Sequence, residues 1–359
     1  MSDTAAPTIS ILIPIYNAEP FLRECLDSVC YQTFQSFEAI CINDGSTDRS
    51  RDIIQEYMQS DSRFRLVDKP NSGYGASMNR GLSEATGEYI AILESDDFYE
   101  LDMLEQLYQA ICTYDAQVAK ANCFYYWSSP KKKNELVELV PRNQTARLVN
   151  PGVEHEIFHM QPAVWSALYR RDFLLDNEVK FLETPGASYQ DTAFAFKVWV
   201  CANRVTFLSQ ALIHYRQDNS GSSVNSPGKV YCVADEHAEM DRFLSLRETP
   251  TWLRNVKARM KCNTFFWNYE RLSDSLKAEF LNYMSDEIKK ELDNGWLDWQ
   301  LFTARERVNF EMILQSPDQF HSLHSAGAPR RLARKALVSL RIGGLSLLWN
   351  SIKEMLLKQ

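Results

Sequence analysis

The 359-residue chain has little excess positive charge: 39 Lys and Arg stand against 47 Asp and Glu, a formal net charge of −8. That balance argues against a general nucleic-acid binder, which needs a basic surface. No run approaches the roughly 18 apolar residues of a membrane-spanning helix. The eight cysteines form no CxxC pair and no Cys/His zinc spacing, so they read as buried, reduced thiols of a cytoplasmic protein. No GxGxxG follows the first predicted strand, where the chain reads "IPIYNAEP". The later "GYGASM" has Met78 where the third glycine of a dinucleotide site belongs. A P-loop lysine is missing as well. The opening "MSDTAAPTISILIPIYN" has no basic stretch, and Pro14 interrupts its short apolar run. It reads as a strand and not as a secretory signal.

The patterning that remains is regular. "TISILIPIYN" is the continuous apolar run of a parallel strand covered on both faces. In "EPFLRECLDSVCYQ", Phe21, Leu22, Cys25, Leu26 and Val29 fall at helical spacing. "FEAICIND" is a second strand, followed by a turn in which Ser46 and Thr47 are candidate N-caps. "RFRLVDK" and "EYIAILE" are further strands, and "GASMNRGLSEATG" is a helix with Gly87 placed to cap its end. This βαβα order predicts an α/β fold with a mainly parallel sheet flanked by helices. Beyond about residue 230 the pattern is helical. In such sheets ligands bind at the carboxyl ends of strands. Three strands here end in polar clusters, "IYN", "NDGS" and "ESDD".

The last cluster raises an electrostatic question. Glu94, Asp96 and Asp97 put three acids within four residues, and burying them is costly without a positive partner. One reading is a strand-to-helix turn whose acids favour the N-terminus of the following helix. Hard oxygen ligands, few in number, also suit Mg²⁺ or Mn²⁺ shared with phosphate oxygens.

Taken in order, "ISILIPIYNAEPFLRECLDSV", "AICINDGSTDRS", "NSGYGASMNRGLSEATGEYIAILESDD" and "YQDTAF" resemble family 2 glycosyltransferases. These are inverting, nucleotide-sugar-dependent enzymes of the GT-A fold. The resemblance is strong over residues 8–110, moderate from about 160 to 225, and untraceable after about 240. It implies a nucleotide-sugar-binding half over 1–110 and an acceptor half over 111–228; the residue pattern adds a helical C-terminal region over 229–328 and a basic amphipathic tail over 329–359. Pro14, Tyr16 and Asn17 would lie beneath the nucleotide, with Tyr16 against the base. Asp44 would accept a hydrogen bond from the base, and Asn79 would lie near ribose and diphosphate. Ser95 and Asp96 take the DxD position, Asp96 as metal ligand. Asp191 matches the carboxylate that activates the acceptor. Tyr16 as a core aromatic and Asp44 as a turn former remain open alternatives.

Three positions depart from the family pattern: Glu94 for the first acid of the DxD, Met78 for a frequent Arg, and Gln190 for the Glu before the base. Gln190 removes a negative neighbour, so a raised pKa is not expected of Asp191. In "IHYRQDNSGSS", His214 is a candidate metal ligand or a structural histidine. Arg216 is a candidate for phosphate or acceptor carboxylate. Trp165 and Tyr189 are candidates for an acceptor wall or for core packing. The resemblance implies a nucleotide-sugar donor, UDP-linked, a glycan or lipid-linked acceptor in cell-surface polysaccharide synthesis, and Mn²⁺ or Mg²⁺ as cofactor. A catalytically weak, glycosyltransferase-like binding subunit is the alternative.

The tail, "PRRLARKALVSLRIGGLSLLWNSIKEMLLKQ", carries Arg330, Arg331, Arg334, Lys335, Arg341, Lys353 and Lys358 against Glu354. With its apolar face this predicts peripheral contact with the inner face of an anionic membrane. A helix packed on its own domain, or an oligomer contact, would have the same pattern.

Overall fold

The computed structural model describes residues 6–187, 189–219, 221, 229–324 and 328–356, the side chains of 328–335, 351–352 and 354–356 excepted. The chain divides into two compact units, 1–226 and 227–359.

The first unit opens with β1 (Ile9–Ile15), buried along its whole length. It continues with α1 (Glu19–Cys30), β2 (Phe37–Asp44), α2 (Ser50–Ser60), β3 (Phe64–Lys69), α3 (Tyr74–Glu84) and β4 (Tyr89–Ile92). After these come β5 (Phe98–Tyr99), α4 (Met103–Thr113), β6 (Val118–Trp127), β7 (Lys133–Val137), β8 (Leu148–Val149), β9 (Ala167–Arg170), α5 (Arg171–Asp176), α6 (Gln190–Cys201) and β10 (Val205–Arg216). Helix α1 turns Leu22, Cys25, Leu26 and Val29 inward, as the spacing requires, and carries Pro20 in its first turn, where no N–H is needed.

The sheet runs β3-β2-β1-β4-β9-β6-β10-β5, with β7 on β6 and β8 on β10. Strands β3, β2, β1 and β4 are mutually parallel. Strand β9 enters antiparallel to both β4 and β6, and β10 runs parallel to β6. Two reversals of sense restore the first direction. The carboxyl ends of β1, β2, β4, β6 and β10 and the residues preceding β9 therefore share one edge, which positions the site.

Two local expectations are corrected. Ser46 and Thr47 do not cap α2, which begins at Ser50 after Arg49; Ser46 Oγ accepts instead from Asn17 N at 3.1 Å. Gly87 does not end α3, whose C-cap is Ala85 in extended conformation. A Cβ on Gly87 would stand 2.6 Å from Ser10 N, so the glycine is there for a close approach to β1.

The second unit is helical: α7 (Cys232–Ser245), α8 (Thr251–Arg271), α9 (Asp274–Asp293), α10 (Ala304–Gln315), α11 (Pro317–His324) and α12 (Ala328–Leu356). Phe265, Tyr269, Phe280, Met284, Ile288, Phe310 and Phe320 form its core. Thr303 and Glu306 make a reciprocal capping box at the start of α10. Helix α12 breaks at Gly344, which has φ of 63°. None of the described helices is long and apolar enough to cross a membrane.

Candidate active site at the carboxyl edge of the sheet

Beyond β4 the chain turns through Glu94, Ser95, Asp96 and Asp97. Asp97 is buried and accepts from Arg216 N at 2.8 Å. Burial and the neighbouring Asp96 hold its carboxyl well above the usual range, against the opposing pull of Arg216. Glu94 accepts from the Tyr74 hydroxyl at 2.7 Å. Burial first, with Asp96 and Asp191 adding to it, pushes Glu94 up to about 8 although the Tyr74 bond acts downward. Asp96 accepts from Asn219 Nδ2 at 2.8 Å. A protein cation does reach this turn. The Arg216 Nε donates to the Asp96 carbonyl at 2.8 Å, and the guanidinium also pairs with Glu24 and lies over Phe21 and Tyr126. Arg216 is thus a buried clamp and not the phosphate or acceptor contact that was expected.

The donor-side residues stand around this turn. Tyr16, just past β1, is 55% exposed, a ring face open for stacking and not a core aromatic. Pro14 is buried within β1. Asn17 accepts from Thr47 N at 2.8 Å, tying the loop after β1 to the loop after β2. Asp44 accepts from Ser72 N at 2.8 Å and Gly73 N at 3.0 Å and pairs with Lys69, so it organises the loop before α3. A carboxylate has about four lone-pair sites, which leaves it room for one further donor. Asn79 is committed at both ends of its amide: it donates to the Phe181 carbonyl and accepts from Phe181 N, each at 2.9 Å. That fastens α3 to the segment leading into α6. Gly73 and Gly75 permit the approach, since Cβ atoms there would lie 2.6 Å from the Thr184 carbonyl oxygen and 2.0 Å from that of Leu182.

Asp191 lies in the first turn of α6, whose N-cap Tyr189 has a left-handed conformation with φ of 64°. Burial raises its carboxyl to about 6, while bonds from Thr192 and the charge of Lys120 act in the opposite direction. The absence of a negative neighbour at Gln190 therefore did not keep Asp191 low, because burial dominates. Gln190 itself is buried and donates to Thr184 Oγ1 at 2.8 Å.

Lys120 escaped the sequence reading. It lies buried in β6 and donates to the Ala163 carbonyl at 2.5 Å and Ser166 Oγ at 2.7 Å. Burial brings it down to about 7, with Asp191 among the groups resisting that fall. A lysine within the apolar run "QVAKANCF" had to find acceptors, and that was the available signal.

Trp165, held in the turn that Lys120 fastens, is buried and stacks on Tyr215 with ring centroids 5.0 Å apart. Tyr215 is half-buried; burial raises its hydroxyl, followed by the charges of Asp97, Asp96, Asp191 and Glu94, so it faces all four acids. His214 points to the other face of β10. Nε2 is 2.7 Å from Glu100 and Nδ1 is 3.1 Å from Asn134, and the ring is stacked on Phe98 and Phe124. With both nitrogens engaged it is a structural histidine, and the metal-ligand expectation is withdrawn.

The Glycosyl transferase family 2 model matches residues 10–172. The uncharacterized glycosyltransferase EpsJ of Bacillus subtilis strain 168 is 30% identical over 244 residues, covering 65% of this chain and 67% of its own length. The chain belongs to glycosyltransferase family 2. Among solved structures, S. aureus TarS 1–349 in complex with UDP-GlcNAc superposes with a TM-score of 0.67 at 19% identity, covering 88% of this chain and 89% of that one. The mannosyltransferase PcManGT from Pyrobaculum calidifontis, in complex with GDP-Man and Mn²⁺, gives 0.53 at 15% identity, covering 90% and 89%. At these identities the two structures establish the fold, the GT-A arrangement with its mainly parallel sheet.

The acidic turn of this family 2 glycosyltransferase offers a divalent cation only a small set of oxygen donors. Among the described residues no three His, Cys, Asp or Glu side chains converge to hold a metal. Each acid of the turn accepts a hydrogen bond, Glu94 from Tyr74, Asp96 from Asn219 and Asp97 from the Arg216 backbone; Asp97 is buried, whereas Asp96 is half-buried and is the more accessible of the two aspartates. Such a set fits a cation bound by one or two carboxylates and otherwise by phosphate oxygens and water.

Proposed function

We propose that the chain is an inverting glycosyltransferase that moves a sugar from a UDP-linked donor to a hydroxyl of a glycan or lipid-linked acceptor in cell-surface polysaccharide synthesis. The observation that carries this reading is the facing of two acidic groups at one sheet edge: the Glu94–Asp97 turn and Asp191, close enough to raise the Glu94 pKa together. The likeness to EpsJ supports a glycosyltransferase, and TarS in complex with UDP-GlcNAc supports the uridine nucleotide.

In this mechanism Tyr16 stacks on the base and Asp44 accepts its N–H. Asp96 holds Mn²⁺ or Mg²⁺, which when bound offsets negative charge on the diphosphate. Arg216 and Asn219 keep Asp96 in place. Asp191 takes the acceptor hydroxyl's proton as the oxygen attacks from the face opposite the leaving diphosphate, and inversion follows. A pKa near 6 leaves Asp191 ionised at neutral pH yet more basic than a surface aspartate. A screen of nucleotide sugars for metal-dependent hydrolysis tests the reading. Hydrolysis of one uridine-linked sugar, abolished by chelator and restored by Mn²⁺ or Mg²⁺, is expected; no turnover of any donor would refute it.

The protein's place would be cytoplasmic, peripheral on the membrane. Leu337, Leu340, Leu345 and Trp349 of α12 are exposed, beside exposed Arg341 and Lys353. Apolar and basic groups on one helix suit an anionic lipid surface. The side chains of Arg330, Arg331, Arg334 and Lys335, and all of Lys358, lie outside the described residues. Co-sedimentation with anionic but not neutral liposomes, reduced by Trp349→Ser with Leu345→Ser, is the expected outcome.

A further inference from the structure

Strands β6 and β10 have two unlike faces. On one, Phe124, Tyr126, His214 and Phe98 pack ring on ring and close the face. On the other, Tyr215 registers with Tyr125 across the parallel pair, and Trp127 follows two residues on, hence on the same face. Ring centroids are 5.8 Å apart from Tyr215 to Tyr125 and 6.4 Å from Tyr125 to Trp127. All three side chains are half-buried. The inner end of this row is Trp165, stacked on Tyr215; at the outer end Lys133 lies 4.6 Å over the Trp127 ring.

We propose that Tyr215, Tyr125 and Trp127 form a track for an acceptor saccharide chain, leading away from Asp191 so that several sugar residues are read beyond the reacting hydroxyl. This rests on the glycosyltransferase reading and deepens it, by naming an oligosaccharide acceptor and the residues that hold it.

Continuity with the reaction centre is the first argument. Tyr215 precedes Arg216, whose guanidinium fixes Asp96, and Tyr215 touches Trp165 in the turn that Lys120 fastens. A glycan placed with a hydroxyl at Asp191 has its remaining residues over this face. The chemistry of the row is the second argument. Tyrosine and tryptophan present broad π faces with polar edges. A pyranose ring presents C–H groups on its faces and hydroxyls around its rim, so it matches both parts of such a side chain. Aliphatic residues would bury the ring faces but leave the hydroxyls unpaired. The rings meet edge to face, at 63° and 77° to one another, so the row offers successive sugars both ring faces and ring edges.

The experiment measures binding of β-linked glucose and N-acetylglucosamine oligomers, monosaccharide through pentasaccharide, by saturation-transfer NMR with the full chain. Hydrolysis of the nucleotide sugar is followed on the same samples. At least one series should bind about tenfold more tightly as the tetrasaccharide than as the monosaccharide. Trp127→Ala and Tyr125→Ala should flatten that dependence, and Trp127→Phe should retain most of it, while donor hydrolysis stays at the wild-type rate. If no oligomer outbinds its monosaccharide, or the alanine variants keep the full length dependence, the track is refuted. Loss of donor hydrolysis in the wild type would instead count against the glycosyltransferase reading itself.

Discussion

Each unit buries a set of charges, and the two sets are completed differently. In the helical unit, Lys257 reaches Asp241 and Glu291, the latter at 3.0 Å, and Lys261 reaches Glu291 at 2.6 Å and Glu287 at 3.0 Å. Two lysines there answer three carboxylates inside one network. At the sheet edge of the first unit, Glu94, Asp96, Asp97 and Asp191 are answered by Arg216 and, at Asp191, by Lys120. Arg216 is itself shared with Glu24. One network is close to balanced and holds helices together. The other gathers four carboxyls around two cations, and burial raises the pKa of Glu94, Asp97 and Asp191. A fold has no reason of its own to keep repelling acids together. Under the proposed function, a cation and a diphosphate would complete the site here.

The sharpest way to break this contrast is to remove charge from each network. Asp96→Asn should lower glycosyl transfer by about 10³-fold, since the diphosphate loses its metal anchor. The melting temperature should hold or rise as repulsion is relieved. Asp191→Asn should lower kcat by about 10²-fold with donor affinity nearly unchanged, read from turnover and from nucleotide binding. It should also stabilise. An acid whose folded pKa is raised contributes stability below its unfolded pKa of about 3.8 and loses it as pH rises through about 6. Thermal melts should therefore show the variant ahead of wild type by about 1–2 kcal/mol at pH 8, after allowance for solvent screening, and level with it near pH 3.5.

The balanced network should behave in the opposite way. Lys257→Met leaves Lys261 alone to answer buried Glu291 together with Asp241 and Glu287, and should cost about 2 kcal/mol in a denaturant melt. Turnover per folded molecule should stay at the wild-type value.

The smallest effect concerns the pH profile of transfer. Asp191 is faced by Glu94, Lys120, Tyr74, Tyr169 and Tyr215. Wild type should gain activity with an acid limb near pH 6, as the base ionises. Lys120→Met removes the cation that lowers Asp191, so the limb should move up by about half a pH unit. A downward move would show that Lys120 acts only through the Ala163–Ser166 turn.

The same contrast explains what the sequence could reveal. Apolar runs such as "ISILIPI" and "FEAICIND" announced parallel strands because both faces of each are covered. Their polar ends, with the three acids after β4, fall at the sheet edge of the candidate site. Partner choice was not legible. Arg216, His214 and Asn79 carry the side chains of ligand contacts, yet each is engaged by residues between 80 and 192 positions away in the chain. Whether such a group faces a ligand or its own protein depends on which strands come together. That in turn depends on the entry of β9 between β4 and β6, which no local pattern signals. The high pKa of Asp191 was hidden for the same reason: burial sets it, and its immediate neighbours do not.

The most direct measurement is a thermal shift of wild type and Asp96→Asn with UDP alone, Mn²⁺ alone, and both together. The gathering of carboxyls at Glu94–Asp97 predicts a rise in melting temperature for wild type that is much larger with both ligands than the sum of the separate shifts, and no such excess for Asp96→Asn. Equal excess in the two proteins, or a full UDP shift in the presence of chelator, would contradict the claim that this turn is completed by a cation carrying the diphosphate.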